Sequence, residues 1–418
     1  MIASPCGSSA RSPFVTLIVI CAIVALNSVD RNMLSLVLPL LKQELHLSDT
    51  TLGLLAGPAF MLVYAVAGLP VAWLADRWSR SRIILLGLAL WSVVTAATGL
   101  AASAAQLAAA RVALGLGEAT TTAPASALIA DRFAPRSRAA AFSVLTCGAP
   151  LGIMLGFPLV GSVSAKYGWR SAFYLMGALG LLLAFIMRLA VPEAPPPSAA
   201  IAAAPAEGLT LRDALLLALR SRAFLLLVLA GTLLSVSYGV MTAWSPTFLL
   251  RVHGIAGPAA GGYLGLYRGL FGIAASLGGG LLVTLFMRRD GRWLAWLPAL
   301  LCLLAGPAEA LFLLATDSRA WQAGLGLDTL LVSAATPCTF ALLLTVVDDR
   351  MRALGAALYL LIFHLIGQSF GPPLVGALND HLAAAVGATA IRYSMLSAPA
   401  SMILAGLAFF RLAHHLRH

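Results

Sequence analysis

Apolar residues run almost without pause along this chain, in stretches of about 20 separated by short polar knots. A stretch of that length crosses a bilayer as a helix. Twelve stretches are readable, near 14–40, 52–75, 83–104, 106–130, 139–163, 169–191, 223–249, 260–287, 293–314, 321–347, 353–377 and 391–412. They predict an all-α integral membrane protein with twelve transmembrane helices. One long polar interruption, 192–222, begins as the Pro/Ala-rich VPEAPPPSAAIAAAPAEG and continues as the amphipathic LTLRDALLLALRSR. The first part reads as a linker and the second as a segment lying on the cytoplasmic surface. The expected division is therefore a six-helix bundle over 1–191, a linker over 192–222, and a second bundle with a short tail over 223–418.

The two halves repeat. GFPLVG at 156–161 returns as GPPLVG at 371–376, and DRFAPRSRAAAF at 131–142 as DDRMRALGAAL at 348–358. AWLADRWSRS at 72–81 is echoed by GLLVTLFMRR at 280–289. The matches keep their order and sense, so the halves are parallel and pseudo-symmetric, an architecture that transporters use around a central cavity.

Composition strengthens this picture. Sixty per cent of the residues are apolar and 10% charged, against about a quarter charged in soluble domains. The net charge of +11 invites a nucleic-acid reading, but its distribution excludes one. Eighteen Lys/Arg fall in the N-terminus, the even-to-odd loops and the tail, and six (Lys42, Lys166, Arg170, Arg251, Arg319, Arg392) in the other loops. That is the positive-inside pattern, which places both termini in the cytoplasm; a bacterial inner membrane is the expected setting. The first span is long and carries charge, so it reads as an uncleaved span, not a leader. Cys6, Cys21, Cys147, Cys302 and Cys338 are scattered and read as small core residues. No metal or cofactor is expected, and the tail HHLRH is too irregular for a metal site.

The informative residues are charges inside the spans. Asp30 and Arg31 interrupt the first run, and a charge at mid-bilayer costs about 2.5–3.5 kcal/mol even on the lenient scale. Adjacent residues diverge on a helix and cannot simply pair. In the fourth run, RVALGLGEATTTAPASALIADRF, Arg111 and Glu118 lie roughly 10 Å apart along one face. Depth counted at 1.5 Å per residue matches Asp30 with Arg111 and leaves Arg31 to Glu118 or a bound anion. Asp30, Glu118 and Arg111 are therefore the expected proton-coupling set. Arg31, with Asn27 one turn before it, is the expected anion contact.

The second half offers fewer charges. Arg268 either holds an anionic head or snorkels to the interface. Glu309 and Asp328 are expected near the outer face, solvated. His364 and Gln368 are i,i+4 neighbours with Tyr359 about a turn earlier, and Tyr238, Trp244 and Pro246 predict an aromatic wall and a kink. Arg268, Tyr238, Trp244, Tyr359, His364 and Gln368 complete the expected substrate-binding set.

GLPVAWLADRWSRSR at 68–82 resembles the cytoplasmic signature of the major facilitator superfamily, G-x-L-x-D-R-x-G-R-R. Leu74, Asp76, Arg77 and Arg80 match, Ala72 and Ser79 stand for glycines, and Ser81 replaces a basic residue. Arg111, Gly115 and Gly117 resemble its R-x-x-x-G-x-G element. The resemblance implies a conformational latch at the cytoplasmic seam, here Asp76, Arg77, Arg80, Asp131 and Arg138. The second-half copy has Thr284 in the acidic place, so no equivalent latch is expected there. LNSVDRNMLSLVLPLLKQELHLSDTTLGLL at 26–55, RVALGLGEA, IADRFAPRSRA and TAWSPTFL at 242–249 are similar to the Spinster family. That likeness implies proton-coupled alternating access for an anionic amphiphile such as a lysophospholipid. Related anion:cation symporters share the Asp-Arg pair and the Glu, which keeps small organic anions, sugar acids or carboxylates, as the alternative. No converging nucleophile–base set points to an enzyme. The expected partners are the substrate, protons and membrane lipids, with the chain a monomer.

Overall fold

A computed structural model describes residues 12–75, 77–193, 220–287, 292–347 and 352–415. Linker residues 194–219 and Asp76 lie outside the described residues. In chain order the first half holds α1 Pro13–Leu45, α2 Asp49–Ala56, α3 Pro58–Ala75, α4 Arg80–Thr98, α5 Ala104–Glu118, α6 Thr122–Arg132, α7 Pro135–Tyr167 and α8 Trp169–Ala190. The second half holds α9 Arg222–His253, α10 Gly257–Met287, α11 Trp293–Leu314, α12 Ser318–Val346, α13 Arg352–Ile362, α14 Ser369–Val386, α15 Ala390–Ser394 and α16 Ser397–Ala413. A π turn, Phe363–Gln368, joins α13 to α14.

Among the described residues, nine helical stretches are long and apolar enough to cross a bilayer, and none of these residues is in a strand. The last stretch, Gly355–Ala413, covers two expected spans and is interrupted at Gly387, whose φ of 60° suits a residue without a Cβ. Helix also occupies the two expected spans outside the nine, as the broken pair α5–α6 and as α10. Helix ends follow sequence chemistry. α1 starts where Ser12 accepts the Phe14 N–H at 3.3 Å and Pro13 needs no donor.

Besides a small first-half cluster around Val71 and Ile83, two larger cores are confined to one half each. One is built around Ile20, Phe60, Trp91 and Leu128, the other around Leu227, Cys302, Leu342 and Phe409. A third spans both halves and includes Met33, Phe157, Trp244, Phe248 and Phe312. That shared core marks where the halves meet. α7 crosses α10, and α2 crosses α14, with backbone nearly touching backbone. A Cβ on Gly376 would stand 2.2 Å from the Asp49 carbonyl oxygen, and one on Gly53 2.5 Å from that of Pro372. These crossings lie at the ends of α1 and α9, opposite Pro13 and Arg222 where the helices begin. Arg222 and His414 line one hollow, so α16 ends on the same side as α9 starts. The halves are thus joined at the distal end, away from the first and last helix ends.

Candidate functional site

α1 carries Asn27, Asp30 and Arg31 into the middle of the molecule. Arg31 Nε donates to Glu118 Oε2 at 3.2 Å, and its Nη2 to Asn27 Oδ1 at 3.3 Å. Its guanidinium also lies over the Tyr64 ring at 4.3 Å and the Phe60 ring at 5.4 Å. Glu118 is wholly buried and is the last residue of α5. The helix stops there because Thr120 and Thr121 turn back onto the carbonyls of Gly117 and Glu118 (3.2 and 3.1 Å), and Pro124 has no N–H to continue the ladder. A helix C-terminus carries partial negative charge, so Arg31 beside it is doubly favoured. The spacing R-x-x-x-G-x-G gains a physical reason. A Cβ on Gly115 would meet the Phe60 carbonyl at 2.8 Å, and one on Gly117 the Trp91 Cβ at 2.9 Å. The two glycines let α5 press on α3 and α4 at once, which fixes the depth of Arg111 and Glu118.

The expected direct pair between Asp30 and Arg111 is not formed. Thr95 Oγ1 on α4 donates to Asp30 Oδ2 at 2.5 Å, while Asp30 Oδ1 has no partner among the described residues. Arg111 Nη2 donates instead to the Arg31 carbonyl at 3.3 Å, with its guanidinium over Phe60 at 4.8 Å. Depth counting placed the two side chains at one level but ignored azimuth, and Asp30 faces α4. The cluster still gathers two carboxyls and two guanidiniums, a balanced set.

The second half supplies the opposite wall. Arg268 on α10 does not snorkel; it donates to the Met241 carbonyl at 2.6 Å and Ser245 Oγ at 2.9 Å. Glu309 and Asp328 are 1% and 6% exposed, so the expected interfacial solvation is wrong for both. α11 and α12 pack them inward, toward a chamber of about 180 Å³ that Arg268 and Tyr238 also line. Trp244 is not on the cavity wall. It is fully buried, its indole N–H donating to the Pro372 carbonyl at 2.9 Å. Six residues past Tyr238 is about 240° around a helix, so the two aromatic rings face apart. Tyr359 is likewise in the core, against Phe340 and Phe363. His364 and Gln368 do reach the cavity, on the π turn, their side chains 3.3 Å apart. Ser235 Oγ donates to the Phe363 carbonyl at 2.7 Å, satisfying a group that the wider turn releases. π turns of this kind recur at functional sites.

A larger chamber of about 370 Å³ is lined by Arg31 and Arg111 from one half and by Tyr238, Phe340, His364 and Gln368 from the other. It shares Asn32, Pro150, Tyr238 and Thr242 with the smaller one, so the two adjoin. Tyr64 meets His364 edge to face across the halves, ring centres 5.7 Å apart. Hydroxyls are more numerous than the apolar runs imply: Ser35, Thr146, Thr242, Ser276, Ser333 and Thr336 all line the chamber. Among the described residues no group of three His, Cys, Asp or Glu could hold a metal ion.

The distal end holds a charge cluster that the sequence reading treated only as topology. Asp49, 3% exposed at its side chain, receives Arg251 through two nitrogens at 2.5 and 2.8 Å and Lys42 at 2.5 Å. Asp380 of α14 accepts the N–H groups of Asp49 and Thr50 at 3.0 and 2.8 Å, capping α2 from the other half. Ser48 caps α2 locally, accepting the Thr51 N–H at 3.1 Å, but the partners of Asp49 across the halves stand some 200 and 330 residues away. At the opposite end the described latch residues, Arg77, Arg80, Asp131 and Arg138, make their contacts within the first half. Arg80 pairs with Asp131, Arg138 donates to the Phe133 carbonyl at 3.0 Å, and Arg77 stacks on Trp73 at 4.0 Å.

Comparison with known proteins fits this geometry. A profile described as Major Facilitator Superfamily matches residues 20–372. The chain is 33% identical over 395 residues to an MFS-type efflux pump of Mycolicibacterium smegmatis, covering 94% of this chain and 91% of that one. It is 26% identical to Protein spinster homolog 3 of Danio rerio, covering 98% and 86%. Among solved structures it superposes with a TM-score of 0.83 on a bacterial homolog to the human lysosomal transporter Spinster, in an inward-facing and unoccupied conformation. The two are 26% identical and 98% of each chain is covered.

Proposed function

The chain belongs to the major facilitator superfamily, an integral, multi-pass membrane transporter and not an enzyme, and on that premise we propose that it is a proton-coupled secondary transporter of an anionic amphiphile. The observation that carries the reading is Arg31. It stands in the wall of the central chamber, braced by Glu118, Asn27 and two aromatic faces. A guanidinium so held meets a carboxylate or phosphate in forked geometry. An arriving anion competes with Glu118 for it, and a carboxylate that loses its cation in a dry site is favoured to take a proton. Substrate and proton thereby exchange on the same side chains.

Alternating access follows from rocking two halves, 1–191 and 223–418, about the cavity. The proximal end corresponds to the cytoplasm in this reading, so the distal contacts around Asp49 close the outer side. The chain works as a monomer in a bacterial inner membrane, with both termini cytoplasmic. Leu34, Met61, Leu234, Phe340 and Phe363 give the chamber surfaces for an acyl chain.

The six Ser and Thr side chains support the second reading, a small organic anion such as a sugar acid or carboxylate. A competition series in proteoliposomes under a pH gradient separates the two. For the amphiphile, lysolipid affinity rises with chain length, by up to about 0.8 kcal/mol per buried CH₂. Flat lipid affinity beside tight hexonate binding rejects it in favour of the organic anion.

A further inference from the structure

Glu309 and Asp328 take no part in the site just described, and their surroundings are unusual. Both are buried, and both line the smaller chamber. Among the described residues, no Lys, Arg or His nitrogen comes within 4 Å of either carboxylate, all ion pairs there being made elsewhere. Ser237 donates to Glu309 Oε1 at 2.5 Å. Glu309 Oε2 and Asp328 Oδ1 have no hydrogen-bond partner. Arg268 is the cation that faces them, but its terminal nitrogen is held by Met241 and Ser245. Two carboxylates and one guanidinium leave one negative charge uncompensated in a buried place, which is costly. One added positive charge restores balance.

We infer that Glu309 and Asp328 form a second proton-exchange site, in the second half of the chain, holding one proton between the two carboxyls. The proton arrives from water in the adjoining chambers and bonds to one of the two orphan oxygens. It returns to water when Arg268 leaves Met241 and Ser245 to pair with the carboxylates. The groups facing the pair are Arg268 on α10, Tyr238 and Ser237 on α9, and Cys302 on Glu309's own helix. Asn32 and Ser28 approach from α1. None of these except Arg268 carries a charge at neutral pH, so the pair titrates as a local unit. The inference rests on the proton-coupled reading for its use, though not for its test.

The test is difference infrared spectroscopy of the purified, lipid-reconstituted protein without substrate, titrated with pH. The expected result is a protonated-carboxyl stretch that fades as pH rises. It is lost in Glu309→Gln and in Asp328→Asn and kept in Asp30→Asn and Glu118→Gln. Both second-half variants are isosteric, and size-exclusion profiles check that they fold. A wild-type spectrum without the band, or a band surviving in both second-half variants, overturns the inference. So does loss of the band at fixed pH on adding sodium or choline, which assigns the pair to a metal or organic cation. Because the band is read on resting protein, it stands or falls separately from transport driven by a pH gradient.

Discussion

The two halves of the molecule bring charge to one cavity in different ways. In the first half two carboxyls meet two guanidiniums, and Arg31 and Glu118 already bond each other at 3.2 Å. In the second half two carboxyls meet one guanidinium whose terminal nitrogen is bonded to Met241 and Ser245 instead. A balanced cluster is stable when empty and must be opened by a competing anion. An unbalanced one must admit positive charge before it is stable at all. Chemically, the first wall is suited to exchanging a proton against an arriving anion and the second to exchanging one without it. The halves touch closely from the distal end down to Pro150 and Gly272, and both chambers lie between them beyond that seam.

The largest expected effect tests the first wall. Asp30→Asn and Glu118→Gln should each abolish proton-driven accumulation in proteoliposomes while downhill exchange persists. Concentrative uptake that survives in both would remove the coupling role from this half and leave it with the second.

Next comes the distal cluster that holds the halves together. Asp49→Ala leaves Lys42 and Arg251 facing each other without their carboxylate. Removing one partner of a buried pair costs on the order of 3 kcal/mol, and here the loss falls on the distally closed state. Spin labels across the distal end should report longer distances. An unchanged distribution would show that the helix crossings alone keep that end shut.

Arg31→Lys should lower affinity for an anionic probe roughly tenfold, about 1.4 kcal/mol, because ammonium cannot reproduce the fork. The same change at Arg268 should matter less, since that side chain already serves two oxygens of its own half. Equal losses at both positions would erase the proposed division of labour.

Two smaller effects sharpen the picture. Asp76→Ala should shift the population toward proximal opening by about 1 kcal/mol, the scale of a helix-end charge contact, read as label distances across the proximal end. Trp244→Phe deletes the bond to the Pro372 carbonyl and should lower thermal stability by about 1 kcal/mol without changing probe affinity. A lowered affinity would put Trp244 back on the cavity wall.

Much of this protein was written in one dimension. Apolar runs of bilayer length fixed the all-α class, because lipid leaves backbone groups no partner except their own helix. The in-span charges Asp30, Arg31, Arg111 and Glu118 announced a site, because each is expensive unless it is used. Depth, a quantity that residue counting supplies, left Arg31 to Glu118 or a bound anion, and Glu118 is the group it bonds in the folded chain.

What failed was azimuth and pairing across the halves. Asp30 turned to Thr95, Trp244 to Pro372 and Tyr359 to the core, each a rotation about a helix axis that spacing alone does not fix when every face is apolar. Glu309 and Asp328 were assigned to the interface, yet packing of α11 and α12 carried them inward. Asp49, Arg251 and Asp380 form one cluster only because α2, α9 and α14 converge. Local sequence dictates which segments become helices, since hydrogen bonding and hydropathy act within a segment. Which side of each helix faces the cavity is decided by close packing among all of them, and that exists only in the folded molecule.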